Sequence, residues 1–178
     1  MSSTPQKHPA AKIAVVDNRL IITTAAVAVD INRQVAQIQA DMQTELQTKG
    51  NALRAEEESL KGQSAIMPQE LYNQKAQEFQ QKAVEYQREV QLKRQQLEIA
   101  IANANAEIER ALKPILQKVL QDTGATILME KGFVLEQAPG LDVTTRVIEQ
   151  LDLALPSITV VLPDVPAAAA APAAAPAN

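Results

Sequence analysis

The chain has no cysteine and no tryptophan, a single histidine and only five glycines in 178 residues. Each shortage closes off a class of function. Without cysteine there are no disulfides and no thiolate zinc sites, so an oxidising compartment is permitted but not required. His8 is the one histidine and stands in the N-terminal leader. A metal there has no second ligand, and no ordered imidazole exists to act as the base of a nucleophilic triad. The five glycines show no phosphate-loop spacing. Rings are scarce as well: Tyr72, Phe79, Tyr86 and Phe133 are the only aromatics. Large rings supply much of the burial of a thick core. A thin molecule buries less of its surface and leans on partners or self-association. Positive charge is short too. The formal net charge of −4 argues against general nucleic-acid binding, which needs a basic face.

No apolar run approaches the roughly 20 residues of a membrane span. Residues 1–9 lack the apolar stretch of a secretion signal, so either the protein is cytosolic or a signal has been removed. Glu56, Glu57 and Glu58 are consecutive, and consecutive helical positions point in different directions. They read as a solvated face. Nothing here calls for a cofactor or a metal, and a catalytic role has little to stand on.

What the chain does have is two long helix-forming runs, 30–62 and 69–113, separated by the breaker Gly62 to Pro68. Ile31, Val35, Ile38 and Met42 fall at heptad spacing on the first run, and Leu46, Leu53 and Leu60 follow every seven residues. On the second, Tyr72, Ala76, Phe79, Ala83, Tyr86, Val90 and Leu97 keep the rhythm, and Ile101, Ala104, Ile108 and Leu112 continue it. The pattern predicts an antiparallel coiled-coil hairpin. Lys49, Glu56 and Lys93 fall on the seam as polar positions and are expected to weaken it. Asp30 or Asn32 is the expected N-cap of the first arm. Pro114 should kink the return helix or start a new one.

The hairpin is flanked by β-type sequence. Lys12 to Val16 reads as a strand, and residues 19–29 as a short helix or an extended link. Gly124 suits a left-handed cap. Residues 126–130 and 133–136 read as two strands in a tight hairpin around Lys131-Gly132. A last helix runs from Asp142-Val143-Thr144 to Leu153, with Asp142 or Thr144 as cap. The expected organisation is a disordered leader (1–11), a small body (12–29 and 114–153), the arm (30–113) and a Pro/Ala-rich disordered tail (154–178). The fold class is α+β. So small a sheet is marginal alone and calls for oligomerisation.

The order of Lys12-Ile13-Ala14-Val15-Val16-Asp17, the long hairpin, Gly124-Ala125-Thr126-Ile127-Leu128, Phe133-Val134-Leu135 and Leu141-Asp142-Val143-Thr144 resembles the Skp/OmpH family of periplasmic outer-membrane-protein chaperones. The resemblance covers about residues 12–153. It implies a jellyfish-like homotrimer in which a small β-body carries three hairpin arms. It also implies an ATP-independent holdase that encloses unfolded outer-membrane proteins in the periplasm, its signal peptide removed, and transient contact with a membrane surface. Trimer contacts would fall to Ile13, Val15, Ile127, Leu128, Val134 and Leu135. One departure is electrostatic. The distal arm, 45–78, carries six glutamates against Lys49, Arg54, Lys61 and Lys75, where the family is often basic.

The arm's apolar residues have two readings. Most serve to zip the helices together. Some would face a client, with Met42, Leu46, Leu53, Ile66, Met67, Tyr72, Phe79 and Tyr86 as candidates. A structural or adaptor coiled coil that binds one folded partner is the rival function. A lipid-active helix pair is disfavoured by arms that lack a basic face.

Overall fold

The computed structural model describes residues 10–164. Expectations for His8, most of the leader and most of the Ala/Pro tail fall outside these residues. Element order is β1 (Ile13–Val16), α1 (Asn18–Thr24), α2 (Ala26–Gln63), α3 (Gln69–Thr123), β2 (Ile127–Glu130) and α4 (Thr144–Ala154). Two compact units emerge. One takes residues 10–32 together with Ala104–Thr159; the other takes Arg33–Asn103 together with residues 160–164.

In the first unit, β1 and β2 pair in parallel, with Ile13 opposite Ile127 and Val16 opposite Glu130. The anticipated hairpin of two strands around Lys131-Gly132 does not form. Residues Lys131–Phe133 make a 3-10 turn, closed by the Val134 N–H donating to the Lys131 carbonyl. The reason lies on the far side of β1. The Val15 N–H donates to the Leu141 carbonyl (2.7 Å), and the Val143 N–H donates to the Val15 carbonyl (2.8 Å). Both edges of β1 are therefore taken, and the chain beyond the turn is drawn through residues 141–143 back to β1 instead of folding onto β2. Lys131 instead swings to Asp142, 2.8 Å away.

Short polar bonds stitch the unit. Asp17 caps α1 by accepting from the Leu20 N–H (2.9 Å), and its own N–H donates to Thr144 Oγ1. The buried Thr144 donates that hydroxyl to Asp142 Oδ1, which also accepts the Thr144 N–H at the start of α4. The Lys131 ammonium and the Thr144 hydroxyl hold the Asp142 carboxyl well below its usual range. Gly124 takes φ +65°, the left-handed conformation that a side chain resists. The deepest side chains are Ile21, Val27, Val119, Val147, Leu151 and Val15. They come from β1 and all four helices, so each of these five elements buries a face.

Helix α2 begins at Ala26, ahead of both expected caps. Ala25 is fully buried and has no side-chain acceptor to offer. Asp152 on α4 supplies one: its Oδ1 accepts from the Ala26 N–H at 2.7 Å. Helix α3 runs unbroken through Pro114, so no new helix starts there. Leu112, Ile115 and Val119 are buried on either side of it. Their packing outweighs the roughly 3 kcal/mol a mid-helix proline costs.

The second unit is an antiparallel pair made of the distal parts of α2 and α3. Its turn is closed by the Ile66 and Met67 N–H groups donating to the Gln63 carbonyl. Pro68 precedes α3, where its missing N–H costs nothing, and Glu70 lies in the first turn near the helix's positive end.

Candidate functional site

The hairpin seam follows the heptads. Met42 is buried, while Val35, Ile38, Leu46, Leu53, Leu60, Tyr72, Phe79, Tyr86, Val90 and Leu97 are half-buried. Tyr86 crosses the seam and donates its hydroxyl to the Leu46 carbonyl at 3.0 Å. It fits because position 50 is glycine: a Cβ there would sit 2.9 Å from the Tyr86 hydroxyl oxygen.

The polar seam positions form cross-links rather than breaks. Lys93 reaches Glu45 on the opposite helix (2.6 Å), Lys49 contacts both Glu45 (2.9 Å) and Glu89, and Lys82 reaches Glu56 (2.7 Å). This corrects the expectation of a weakened seam. The two helices are close enough for each long side chain to span the gap while its stem lies along the apolar seam. Lys93 and then Lys49 pull the Glu45 carboxyl down to about 2. Glu89 and then Glu45 raise the Lys49 ammonium. Of the Glu56-Glu57-Glu58 triple, Glu56 crosses the seam, Glu57 pairs with Lys61 at 2.6 Å along its own helix, and Glu58 is exposed. Among the described residues no cluster of three potential metal ligands occurs.

The candidate client-facing residues divide by position. Ile66, at the turn, is 83% exposed, and Met67 beside it is half-buried. Met42 and Leu46 line one side of a groove of about 400 Å³, with Leu97 opposite and Gln39, Gln43 and Gln47 along the rim. Leu53, Tyr72, Phe79 and Tyr86 lie in the seam with part of their surface still open. The spacing alone separated seam from surface poorly. A groove depends on how far the helices stand apart, and heptads do not report that.

The candidate trimer residues divide similarly. Val15 is 2% exposed inside its own unit, while Ile13 and Ile127 present open faces on the sheet. Leu128 and Val134 are half-buried, and Leu135 is fully exposed. Neither Val134 nor Leu135 lies in a strand. Phe133, 85% exposed, was not among the candidates and adds to this apolar surface. Among the described residues β2 has a partner on one edge only.

The model of the family of outer membrane proteins termed OmpH-like matches residues 12–151. The chain belongs to the OmpH-like family. A crystal structure from Caulobacter crescentus CB15, assigned as an OmpH-like outer membrane chaperone, superposes on it with a TM-score of 0.83 at 21% identity, covering 93% of this chain and 98% of the other. The long helices and small two-stranded sheet are thus an OmpH-like fold. No curated protein matches the chain at a significant level. The OmpH-like family is not a family of enzymes. Among the described residues no helix of this OmpH-like chain is long and apolar enough to cross a membrane.

Proposed function

We propose that this OmpH-like protein is an ATP-independent periplasmic holdase. Three copies join through the strand-bearing unit and enclose unfolded outer-membrane β-barrel proteins between their helical hairpins. Family membership carries this reading, because a chaperone role and a periplasmic setting are what the OmpH-like family supports.

The physical features agree with it. Among the described residues, the strand-bearing unit leaves one edge of a two-stranded sheet open and exposes Ile13, Ile127, Phe133 and Leu135. An open edge beside exposed apolar groups is a surface that needs covering. Ile13, Ile127, Leu128, Val134 and Leu135 are then the contact residues, and Val15 supports them from beneath. On the hairpin, Ile66, Met67, Met42 and Leu46 offer the freest apolar surface, and Leu53, Tyr72, Phe79 and Tyr86 offer partial faces.

Holding works by mass action: binding the unfolded form withdraws it from aggregation. Each contact yields only a fraction of the roughly 1.5–3 kcal/mol of full side-chain burial. Many such contacts from three hairpins restrain a client without ordering it. Release needs a stronger sink, such as insertion of the client into a membrane.

The deciding experiment dilutes a urea-unfolded outer-membrane β-barrel protein into buffer with the chain and no nucleotide. Light scattering should stay low at roughly one trimer per client. Unchanged aggregation would remove the holdase reading and favour an adaptor with one folded partner.

A further inference from the structure

The cross-seam pairs give the hairpin its register. Stepping four residues up α2 from Glu45 to Lys49 steps four residues down α3 from Lys93 to Glu89. By the same register Gln96 lies opposite Met42. A third stretch of chain is seated on this hairpin. The Val160 N–H donates to Gln34 Oε1 at 2.9 Å, and Gln96 Nε2 donates to the Pro163 carbonyl at 2.9 Å. Both glutamines bind main-chain atoms. Burial alternates along the segment: Ile158 half-buried, Thr159 exposed, Val160 buried, Val161 exposed, Leu162 half-buried. That is the period of an extended strand laid on a surface.

The distances agree. From the level of Gln34 to that of Gln96, eight residues of α2 rise about 12 Å. The three steps from Val160 to Pro163 span about 10 Å when extended. The segment therefore runs alongside α2, toward the hairpin turn. Directly ahead lies the groove of Gln39, Met42, Gln43, Leu46, Gln47 and Leu97. Its floor is apolar, and three glutamines at four-residue intervals line its rim. A glutamine amide both donates and accepts, so it satisfies a peptide N–H or a carbonyl whatever the side chain beside it.

We propose that the α2–α3 groove from Gln34 and Gln96 to Met42, Leu46 and Leu97 is a main-chain-reading seat for an extended polypeptide, one end of which residues 160–163 occupy as a built-in competitor. The occupant is an extended segment of an unfolded protein with apolar side chains at alternate positions. Glutamines impose no charge preference, which suits a seat for many sequences. The competitor lowers apparent affinity by the fraction of time it is docked. A bound client must displace it. The seat rests on the holdase reading for its biological use and on the observed docking for its existence.

The test uses the full chain and a dye-labelled octapeptide, Ser-Ile-Thr-Val-Val-Leu-Pro-Asp, which copies residues 157–164. Val160→Asp disfavours docking of the chain's own segment, so the peptide should bind this variant about tenfold more tightly than the parent chain. Adding Gln34→Ala and Gln96→Ala should remove that gain. Equal affinity for parent and V160D, or a gain that survives loss of both glutamines, overturns the proposal. A second measurement does not depend on how V160D folds. The same peptide carrying benzophenone is photo-cross-linked to the parent chain, and the products should map to residues 34–47 and 96–97. Cross-links confined elsewhere also overturn it. The scattering assay, run in parallel, separates the two ideas. Peptide binding in the groove without protection of the β-barrel protein keeps the seat and removes the chaperone. Protection by a chain whose groove takes no peptide keeps the chaperone and removes the seat.

Discussion

Gly50 and Tyr86 share one space between the arm helices. The Tyr86 hydroxyl donates to the Leu46 carbonyl, and any Cβ at position 50 would lie 2.9 Å from that oxygen. Glycine in a helix interior ordinarily costs up to about 1 kcal/mol relative to alanine. Here that cost keeps a cross-helix hydrogen bond worth about 0.5–1.5 kcal/mol. Gly50→Ala should therefore destabilise the parent chain, because the rigid ring must shift to admit the methyl group. In a Tyr86→Phe background the same change should stabilise by up to about 1 kcal/mol. A double-mutant cycle in denaturant, followed by helical circular dichroism, reads the reversal of sign. The same sign in both backgrounds would refute the fit.

Glu45 predicts an acid response. Lys93 and Lys49 lower its carboxyl to about 2 in the folded chain from an ordinary 4.5. A depressed carboxylate contributes stability that is fully present above its unfolded value and is lost as pH falls through its folded value. The window is thus about 4.5 down to about 2. Parent chain and Glu45→Gln should differ most in melting temperature above this window and converge below it. Added salt should shrink the difference, since Glu45 and Lys49 are open to solvent. Direct titration of the Glu45 carboxyl by NMR checks the value, and a midpoint near 4.5 would contradict the cross-linked seam.

Two substitutions test what holds α2 and α3 in place. Asp152 caps α2 from another helix, so Asp152→Ala should cost about 0.5–2 kcal/mol, with most of the loss restored by Asn, which keeps an acceptor. Pro114→Ala should stabilise by up to about 3 kcal/mol, since it restores an N–H inside a helix already held on both sides. Thermal unfolding of the three variants reads both effects. A neutral Asp152→Ala would mean that water serves the Ala26 N–H equally well.

Local signals carried the helices and failed where distant residues decide. Leu46, Leu53, Leu60, Tyr72, Phe79 and Tyr86 turn inward as their spacing requires, and Gly124 takes the positive φ its position suggested. Asp30 looked like a cap because caps are read from neighbours, yet the acceptor for Ala26 lies 126 residues away on α4. Lys131-Gly132 has the chemistry of a tight turn. The pairing that forms instead is a parallel one between segments 114 residues apart, seen in the Lys12 N–H donating to Thr126 Oγ1 at 2.9 Å. The groove rim at Gln39, Gln43 and Gln47 is a four-residue repeat in the sequence, which marks one face of a helix but carries no sign of a groove beside it. An isolated glycine within a helical run, as at position 50, marks a packing constraint and was the available clue to Tyr86.

The proposed assembly makes the last prediction. Leu128 lies in β2, half-buried, on the strand whose second edge has no partner among the described residues. A carboxylate there would stand uncompensated in a desolvated contact between copies, and charges without partners are expelled from such contacts. Leu128→Asp should therefore dissociate the trimer, whereas Gln47→Glu, on the exposed arm, should leave it intact. Sedimentation at micromolar concentration distinguishes the species, and circular dichroism confirms that the helices remain. If the parent chain sediments as one folded monomer, the trimer itself is wrong. If the parent is a trimer and Leu128→Asp stays one, the trimer stands and its interface lies elsewhere, with Phe133 and Leu135 the next residues to charge.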